Sequence, residues 1–259
     1  KITSDLTETG AVALNQTTEE AIYTINIQPN DATLKTISGA YAGGLIRLNG
    51  ADGITFDGRF SGSGNYLTFS NTSTGTNPAV FQISSLGIGA GAVNNTIRNC
   101  NIIAGKNTAA SYGIFSGSAV VGTTGADNDN LQILNNNISK CYYGIYIGGV
   151  SGGEHSNIAI SNNIIGSNTA TDFVLFYGVY TTYMSNSTLS GNEIFNMKHN
   201  GSKYGFYAST GSSFNTYSNN IIHDFDDLDG NTTINTSIGM AFETGLTDNT
   251  IENNVIYKV

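Results

Sequence analysis

Among the features of this chain, the one that most restricts its fold is a six-residue unit that recurs six times: apolar, any, Asn or Gly, Asn, any, Ile. It reads Ile97-Arg98-Asn99-Cys100-Asn101-Ile102, Ile133-Leu134-Asn135-Asn136-Asn137-Ile138 and Ile160-Ser161-Asn162-Asn163-Ile164-Ile165. Leu189-Ser190-Gly191-Asn192-Glu193-Ile194, Tyr217-Ser218-Asn219-Asn220-Ile221-Ile222 and Ile251-Glu252-Asn253-Asn254-Val255-Ile256 follow. Successive copies start 36, 27, 29, 28 and 34 residues apart, the spacing of a repeat architecture. A second unit lies between the copies: Tyr112-Gly113-Ile114-Phe115, Tyr143-Gly144-Ile145-Tyr146, Tyr177-Gly178-Val179-Tyr180, Tyr204-Gly205-Phe206-Tyr207 and the weaker Ile238-Gly239-Met240-Ala241. Each repeat therefore holds at least three short strands, and the variable distance between units places insertions in loops outside a constant frame.

The Asn pairs have a physical reason to recur at one place in every turn. A sharp bend between strands favours a residue that tolerates the left-handed region, where Asn is second only to Gly. Coils stacked about 4.8 Å apart would bring Asn136, Asn163, Asn192, Asn220 and Asn254 into register as a column of amides. Each amide donates to one neighbour and accepts from the other. Cys100 holds the first place in that column, so the ladder is expected to start one coil later. The expected fold is all-β, a right-handed parallel β-helix with three short strands per coil. Residues 1–40 are read as an N-terminal cap or irregular start and 41–259 as the solenoid, with 40–92 forming two irregular early coils. The chain stops directly after a repeat, from which continuation of the helix or docking of that face is expected.

These paired units resemble the parallel β-helix repeat family, which includes pectate lyase-like and other carbohydrate-acting secreted proteins. The run Thr36-Ile37-Ser38-Gly39, Leu45 to Gly58 and Leu67-Thr68-Phe69-Ser70-Asn71-Thr72 looks like the opening of β-helix segments in very long secreted bacterial surface proteins, many of them exported by type IX secretion. The resemblance runs from about residue 20 to the end. It implies an extracellular or cell-surface location, and it specifies fold far better than activity.

Charged residues make up only 11% of the chain, and the net charge of −9 with ten Lys plus Arg argues against a nucleic-acid partner, which needs a basic stripe. No window approaches 18 uninterrupted apolar residues and no basic-then-apolar leader opens the chain, so neither membrane insertion nor a retained signal peptide is expected. Cys100 and Cys141 are too few for a disulfide framework and read as two isolated buried thiols.

Lyases and hydrolases on this fold need acids and a cation grouped on one sheet. Arg47, Arg59 and Arg98 fall far apart along the expected coils, and no paired Asp series occupies adjacent coils, so no catalytic residue is assigned. Asp224, Asp226, Asp227 and Asp229, after His223, form an acidic run that can hold Ca²⁺, supply a general acid and base, or stand as a solvated loop. Otherwise no cofactor is expected. Phe195, His223 and Tyr257 share one repeat position and are expected to stack, while Glu193 with Lys198 and His199 is a weaker acid–base grouping.

The second unit supplies a binding surface. If Ile114, Ile145, Val179 and Phe206 point inward, alternation turns Phe115, Tyr146, Tyr180 and Tyr207 outward as an aromatic ladder able to meet sugar rings. The same alternation would turn Tyr112, Tyr143, Tyr177 and Tyr204 inward, where their hydroxyls would need partners. Three functions remain open: a non-catalytic structural or adhesive extracellular segment that associates head to tail with itself or with the rest of a longer chain, a glycan-binding module, and a polysaccharide lyase or hydrolase.

Overall fold

The computed structural model describes residues 1–17, 24–228 and 236–259. Its strands are short, and the chain threads repeatedly through three long parallel sheets, so that each coil contributes one strand to each. Among the described residues, sheet 1 has nine strands, running from Leu6–Thr7 through Lys35–Gly39, Leu67–Asn71, Cys100–Ala104, Asn137–Ser139, Ile164–Ile165, Glu193–Phe195 and Ile221–His223 to Val255–Tyr257. Sheet 2 has eight, among them Gly44–Asn49, Ala79–Ser85, Tyr112–Ser118, Tyr143–Gly148, Tyr177–Thr182, Lys203–Ala208 and Ser237–Phe242. Sheet 3 also has eight, among them Ile54–Asp57, Thr96–Arg98, Gln132–Leu134, Ala159–Ser161, Thr188–Ser190, Thr216–Ser218 and Thr250–Glu252. Every strand pairing in the three sheets is parallel and joins one coil to the next, the architecture of a parallel β-helix.

The Asn-containing unit is the corner from sheet 3 to sheet 1. Its third position is left-handed in every copy, with φ of 54° at Asn99, 56° at Asn135 and Asn162, 65° at Gly191, 57° at Asn219 and 54° at Asn253. The fourth position forms the amide ladder. Asn136 Nδ2 donates to Asn163 Oδ1 at 3.1 Å, Asn163 to Asn192 and Asn192 to Asn220 at 3.0 Å, and Asn220 to Asn254 at 2.9 Å. Each oxygen also accepts the backbone N–H of the preceding coil, and each Nδ2 also donates to a backbone carbonyl, as Asn192 does to Ile160 at 2.8 Å. The ladder opens at Asn136, whose Oδ1 accepts the Cys100 N–H, so the cysteine stands at its head as the sequence indicates. A second left-handed corner precedes sheet 3 at Asn94, Asn130, Asn157, Asn186, Phe214 and Asp248.

Inward residues stack by type. Ile97, Ile133, Ile160 and Leu189 line sheet 3, and Ile102, Ile138, Ile165, Ile194 and Ile222 line sheet 1, all essentially inaccessible. Each such side chain contributes roughly 1.5–3 kcal/mol on burial. The glycine of the second unit is required sterically. A Cβ on Gly144 would lie 2.5 Å from the Gly178 carbonyl and 2.7 Å from Ile165 Cγ2, and Gly113, Gly178 and Gly205 are equally hemmed in by the next coil's glycine.

The stretch to residue 40 already carries strands of all three sheets: Leu6–Thr7 pairs with Ile37–Ser38, Leu14–Asn15 with Leu48–Asn49, and Ile25–Ile27 with Ile54–Phe56. Ile54–Asp57 and Leu67–Asn71 are consecutive strands of one coil on different sheets, which accounts for their closeness in sequence.

Candidate functional site

The outer face of sheet 2 carries the most organised surface of the molecule. Gly113 and Ile114 both turn toward the interior, since a Cβ on the glycine would meet core residue Ile138 and Ile114 is itself in the core. Two consecutive inward positions break the alternation, so Tyr112 and Phe115, three apart, share the outer face in one cluster with Val121, Tyr143 and Tyr146. This corrects the expectation that Tyr112, Tyr143, Tyr177 and Tyr204 face inward. Both aromatics of each unit are outside, and they form two files rather than one.

One file is Tyr112, Tyr143, Tyr177 and Tyr204, with centroids 4.8, 5.2 and 5.1 Å apart and planes within 18° of parallel. The other is Phe115, Tyr146, Tyr180 and Tyr207, at 5.3, 4.9 and 5.6 Å and within 19°. Contact between parallel rings needs only about 3.5–4 Å, so rings spaced by one coil must slip and tilt against the solenoid axis. The two files tilt in opposite senses, because rings of one meet rings of the other at 87°, 90°, 82° and 73°. The surface is a herringbone whose ring faces are partly covered by their neighbours and whose edges face out.

Phe115 and Tyr112 are buried at one end of the files, whereas Tyr143, Tyr146, Tyr177, Tyr180, Tyr204 and Tyr207 are half-buried. Partial burial raises the phenol pKa of Tyr143, Tyr146 and Tyr177, so these hydroxyls stay neutral donors far above neutral pH. At the far end Tyr207 donates its hydroxyl to Glu243, and this bond, before burial, pushes its phenol up to about 12. The Tyr207 bond first, and then those donated by Ser209 and Thr210, hold Glu243 below the usual carboxylate range. A third set of rings, Tyr142, Phe176 and His199, borders the first file, with Phe176 4.2 Å from Tyr177.

Sheet 1 carries a smaller row. His223 stacks between Phe195 at 5.5 Å and Tyr257 at 4.9 Å. Its Nε2 meets Glu193 at 3.0 Å and its Nδ1 meets Asp224 at 2.7 Å. Burial opposes the imidazolium, but the two carboxylates outweigh it and raise the pKa. Glu193 thus pairs with His223, while His199 turns Nδ1 to the Ser202 carbonyl.

The acidic run spreads over separate cations: Asp224 faces Lys258 at 3.3 Å, Asp226 faces Lys198 at 4.0 Å and Asp227 faces the buried Lys203 at 2.7 Å. Asp229 lies outside the described residues. Among the described residues no three His, Cys, Asp or Glu side chains gather as metal ligands would.

Two arginines that looked remote in sequence meet at Asp57, correcting the expectation that all three lie far apart. Asp57 is 1% exposed and binds Arg59 Nη2 and Arg98 Nη2, each at 2.8 Å, with Gln28 Nε2 at 3.3 Å. Burial alone would raise its pKa, yet the guanidinium bonds hold it at about 2. Register explains the meeting, since Asp57 pairs with Arg98 across sheet 3. Cys100 and Cys141 are free and buried, and burial pushes the Cys141 thiol up to about 12.

Of the solved structures that align with this chain, a glycoside hydrolase does so at 14% identity and a TM-score of 0.39, over 86% of this chain and 50% of its own. The Dettilon tailspike protein gp208 aligns at 13% identity and 0.27, over 98% and 60%. Tailspike protein 2 of Escherichia coli O157:H7 bacteriophage CAB120 aligns at 13% and 0.24, over 89% and 38%. The chain therefore spans less than two thirds of each of these proteins, and likeness this low carries no site across. No curated protein matches the sequence. Residues 114–259, more than half of the chain and including every copy of the Tyr-Gly unit after the first tyrosine-glycine pair, match the family described as the right-handed beta helix region, and the chain belongs to that family.

Proposed function

We propose that this chain is a non-catalytic, glycan-binding segment of an extracellular β-helix protein, and that polysaccharide lies along the tyrosine files on the outer face of sheet 2. The observation that carries the reading is the set of six half-buried tyrosines held in register over three coils. A saccharide offers both C–H faces and hydroxyls, and the herringbone offers apolar ring edges beside neutral phenols that donate and accept. Because the rings are fixed by stacking, little side-chain freedom is lost when a ligand binds.

The chemistry near other polar groups favours binding over turnover. Asp57 is the most enclosed carboxylate with arginine partners, and at a pKa of about 2 it is a poor general base at neutral pH. Asp224, Asp226 and Asp227 are each engaged by a separate cation.

Affinity electrophoresis through gels containing neutral or uronate polysaccharides tests the proposal. The wild-type chain is expected to be retarded by at least one of them. Tyr146→Ala and Tyr180→Ala together should weaken that retardation about tenfold or more, at roughly 0.5–1.5 kcal/mol per aromatic contact, with the fold confirmed by circular dichroism. Unchanged retardation in the double variant, or steady release of reducing ends or unsaturated sugars by the wild type, would refute the reading.

A further inference from the structure

The two aromatic files do not stop at Tyr112 and Phe115. In the register of sheet 2, the file of Tyr207, Tyr180, Tyr146 and Phe115 continues to Gln82 and then Arg47. The file of Tyr204, Tyr177, Tyr143 and Tyr112 continues to Ala79 and then Gly44. Where the later coils place a tyrosine ring, the early coils place a methyl group or nothing. Gln82 and Arg47 fill the place above Gly44, and beside them lies a cleft of about 320 Å³, bordered by Tyr41, Arg47, Asn77, Gln82 and Val121.

The wall between this cleft and the tyrosines is fastened in place. Gln82 Nε2 donates to the carbonyls of Ser118 at 3.2 Å and Ala119 at 3.0 Å, and Asn77 Nδ2 donates to that of Val121 at 3.3 Å. Val121 in turn packs on Tyr112 and Phe115. The cleft is therefore preformed and adjoins the end of the aromatic surface.

Its chemistry differs from that of the files. The Arg47 guanidinium lies 5.6 Å from the centre of the Tyr41 ring and donates through Nη2 to the Ala11 carbonyl at 3.0 Å. Its Nε is enclosed and has no acceptor. Among the described residues no carboxylate comes within ion-pair distance of Arg47, unlike Arg59 and Arg98, which share Asp57. Glu8 borders a second cleft that Arg47 also lines, and its Oε1 accepts the Gly10 N–H. Among the described residues no acidic side chain lines the Arg47 cleft itself. In a chain of net charge −9, a guanidinium without a carboxylate beside a tyrosine ring, in a preformed cleft, is a local exception to the field around it.

We propose that this cleft is a second binding site and that it takes the carboxylate of an acidic sugar whose neighbouring units lie on the tyrosine files. This rests on the glycan reading above. A planar guanidinium matches a carboxylate fork with paired hydrogen bonds. Tyr41 offers a ring surface to the same sugar, and the amides of Asn77 and Gln82 are already committed to the wall, which leaves Arg47 to decide the charge selected. Because the overall field repels anions, the selectivity comes from this contact alone rather than from long-range attraction.

The test is calorimetric titration of the whole chain with an oligogalacturonate and with its fully methyl-esterified counterpart, which has the same backbone without the charge. The wild type should bind the acid form about tenfold more tightly than the ester. Arg47→Gln should reduce that ratio to near one, chiefly by weakening the acid form. Arg47→Lys, which keeps the charge and the packing stem if the glutamine variant folds poorly, should retain only part of the ratio. Tyr180→Ala should weaken both forms alike. An unchanged acid-to-ester ratio in Arg47→Gln, with Tyr180→Ala still weakening both, would overturn the cleft assignment and leave the tyrosine reading standing. Failure of the wild type to bind either form or any other glycan would overturn the glycan reading and this inference with it. Acetate competing as effectively as the oligosaccharide would overturn the sugar class.

Discussion

Replacing Asn192 by Ala removes the middle rung of the amide ladder, and the structure allows its cost to be worked out bond by bond. Asn192 is 1% exposed. Its Oδ1 accepts the Asn163 N–H and the Asn163 amide, each at 3.0 Å, while its Nδ2 donates to the Ile160 carbonyl at 2.8 Å and to Asn220 Oδ1 at 3.0 Å. Of the four partners, Asn163 Nδ2 still donates to the Ile133 carbonyl, and Asn220 Oδ1 still accepts the Asn192 backbone N–H. The Asn163 N–H would lose its acceptor in a space closed to water, while the Ile160 carbonyl keeps its place in the parallel ladder with the next coil. At about 1–3 kcal/mol for the buried N–H left unpaired and about 1 kcal/mol for the bonds its neighbours lose, the expected loss is about 2–4 kcal/mol. Asn254→Ala makes the internal comparison. It removes the same kinds of bonds to Asn220 and Tyr217, but from a half-exposed rung that water can reach, so about 1 kcal/mol is expected. Repeat proteins lose structure locally as well as globally, so native-state amide exchange should accompany urea denaturation, with Asn163 and its neighbours losing protection first. A loss below about 1 kcal/mol for Asn192→Ala, or one no larger than for Asn254→Ala, would refute the idea that the ladder satisfies the backbone at this corner.

Three other outcomes follow from particular residues. Phe214 sits at φ 57° in a corner column that elsewhere holds Asn or Asp, and it is 56% exposed; Phe214→Asn should therefore raise stability by roughly 0.5–1 kcal/mol in urea denaturation, and a loss would show that its ring packs usefully. Gly144→Ala would drive a methyl group into the Gly178 carbonyl and should cost about 1–3 kcal/mol or prevent folding, whereas a neutral result would show that adjacent coils separate freely. His155 is buried against Ser116 and the Gly125 carbonyl, and burial lowers its pKa to about 4. The unfolded chain, with an ordinary histidine near 6.5, binds more protons through this window. Stability should therefore fall as pH drops from 6.5 through 4, by up to about 3 kcal/mol from this group. The difference between wild-type and His155→Gln pH profiles isolates that slope, and parallel profiles would contradict it.

Much of the fold was legible because two columns admit few residue types. The left-handed position after sheet 3 selects Asn or Gly, and the rung beside it selects an amide, so both recur at constant spacing despite loops of different length. The corner before sheet 3 obeys the same backbone rule but went unread. Asn94, Asn130, Asn157 and Asn186 give way there to Phe214 and Asp248, and variable loops precede it. In the tyrosine unit, strict alternation predicted one outward file. The glycines, which signalled the repeat, also turn the strand so that a second file faces out. The Asp57 cluster could not be read without the register of the early coils, where the Asn unit is missing. The partners of the acidic run were hidden for a related reason: Lys198 and Lys203 come from the preceding coil and Lys258 from the last.

The most direct test of the functional account is a crystal structure of the chain with a bound oligosaccharide. The account predicts sugar density along the outer face of sheet 2, across Tyr146, Tyr180 and Tyr207. Sugar seated instead on sheet 1 beside Phe195 and His223, with the tyrosine files bare, would contradict it.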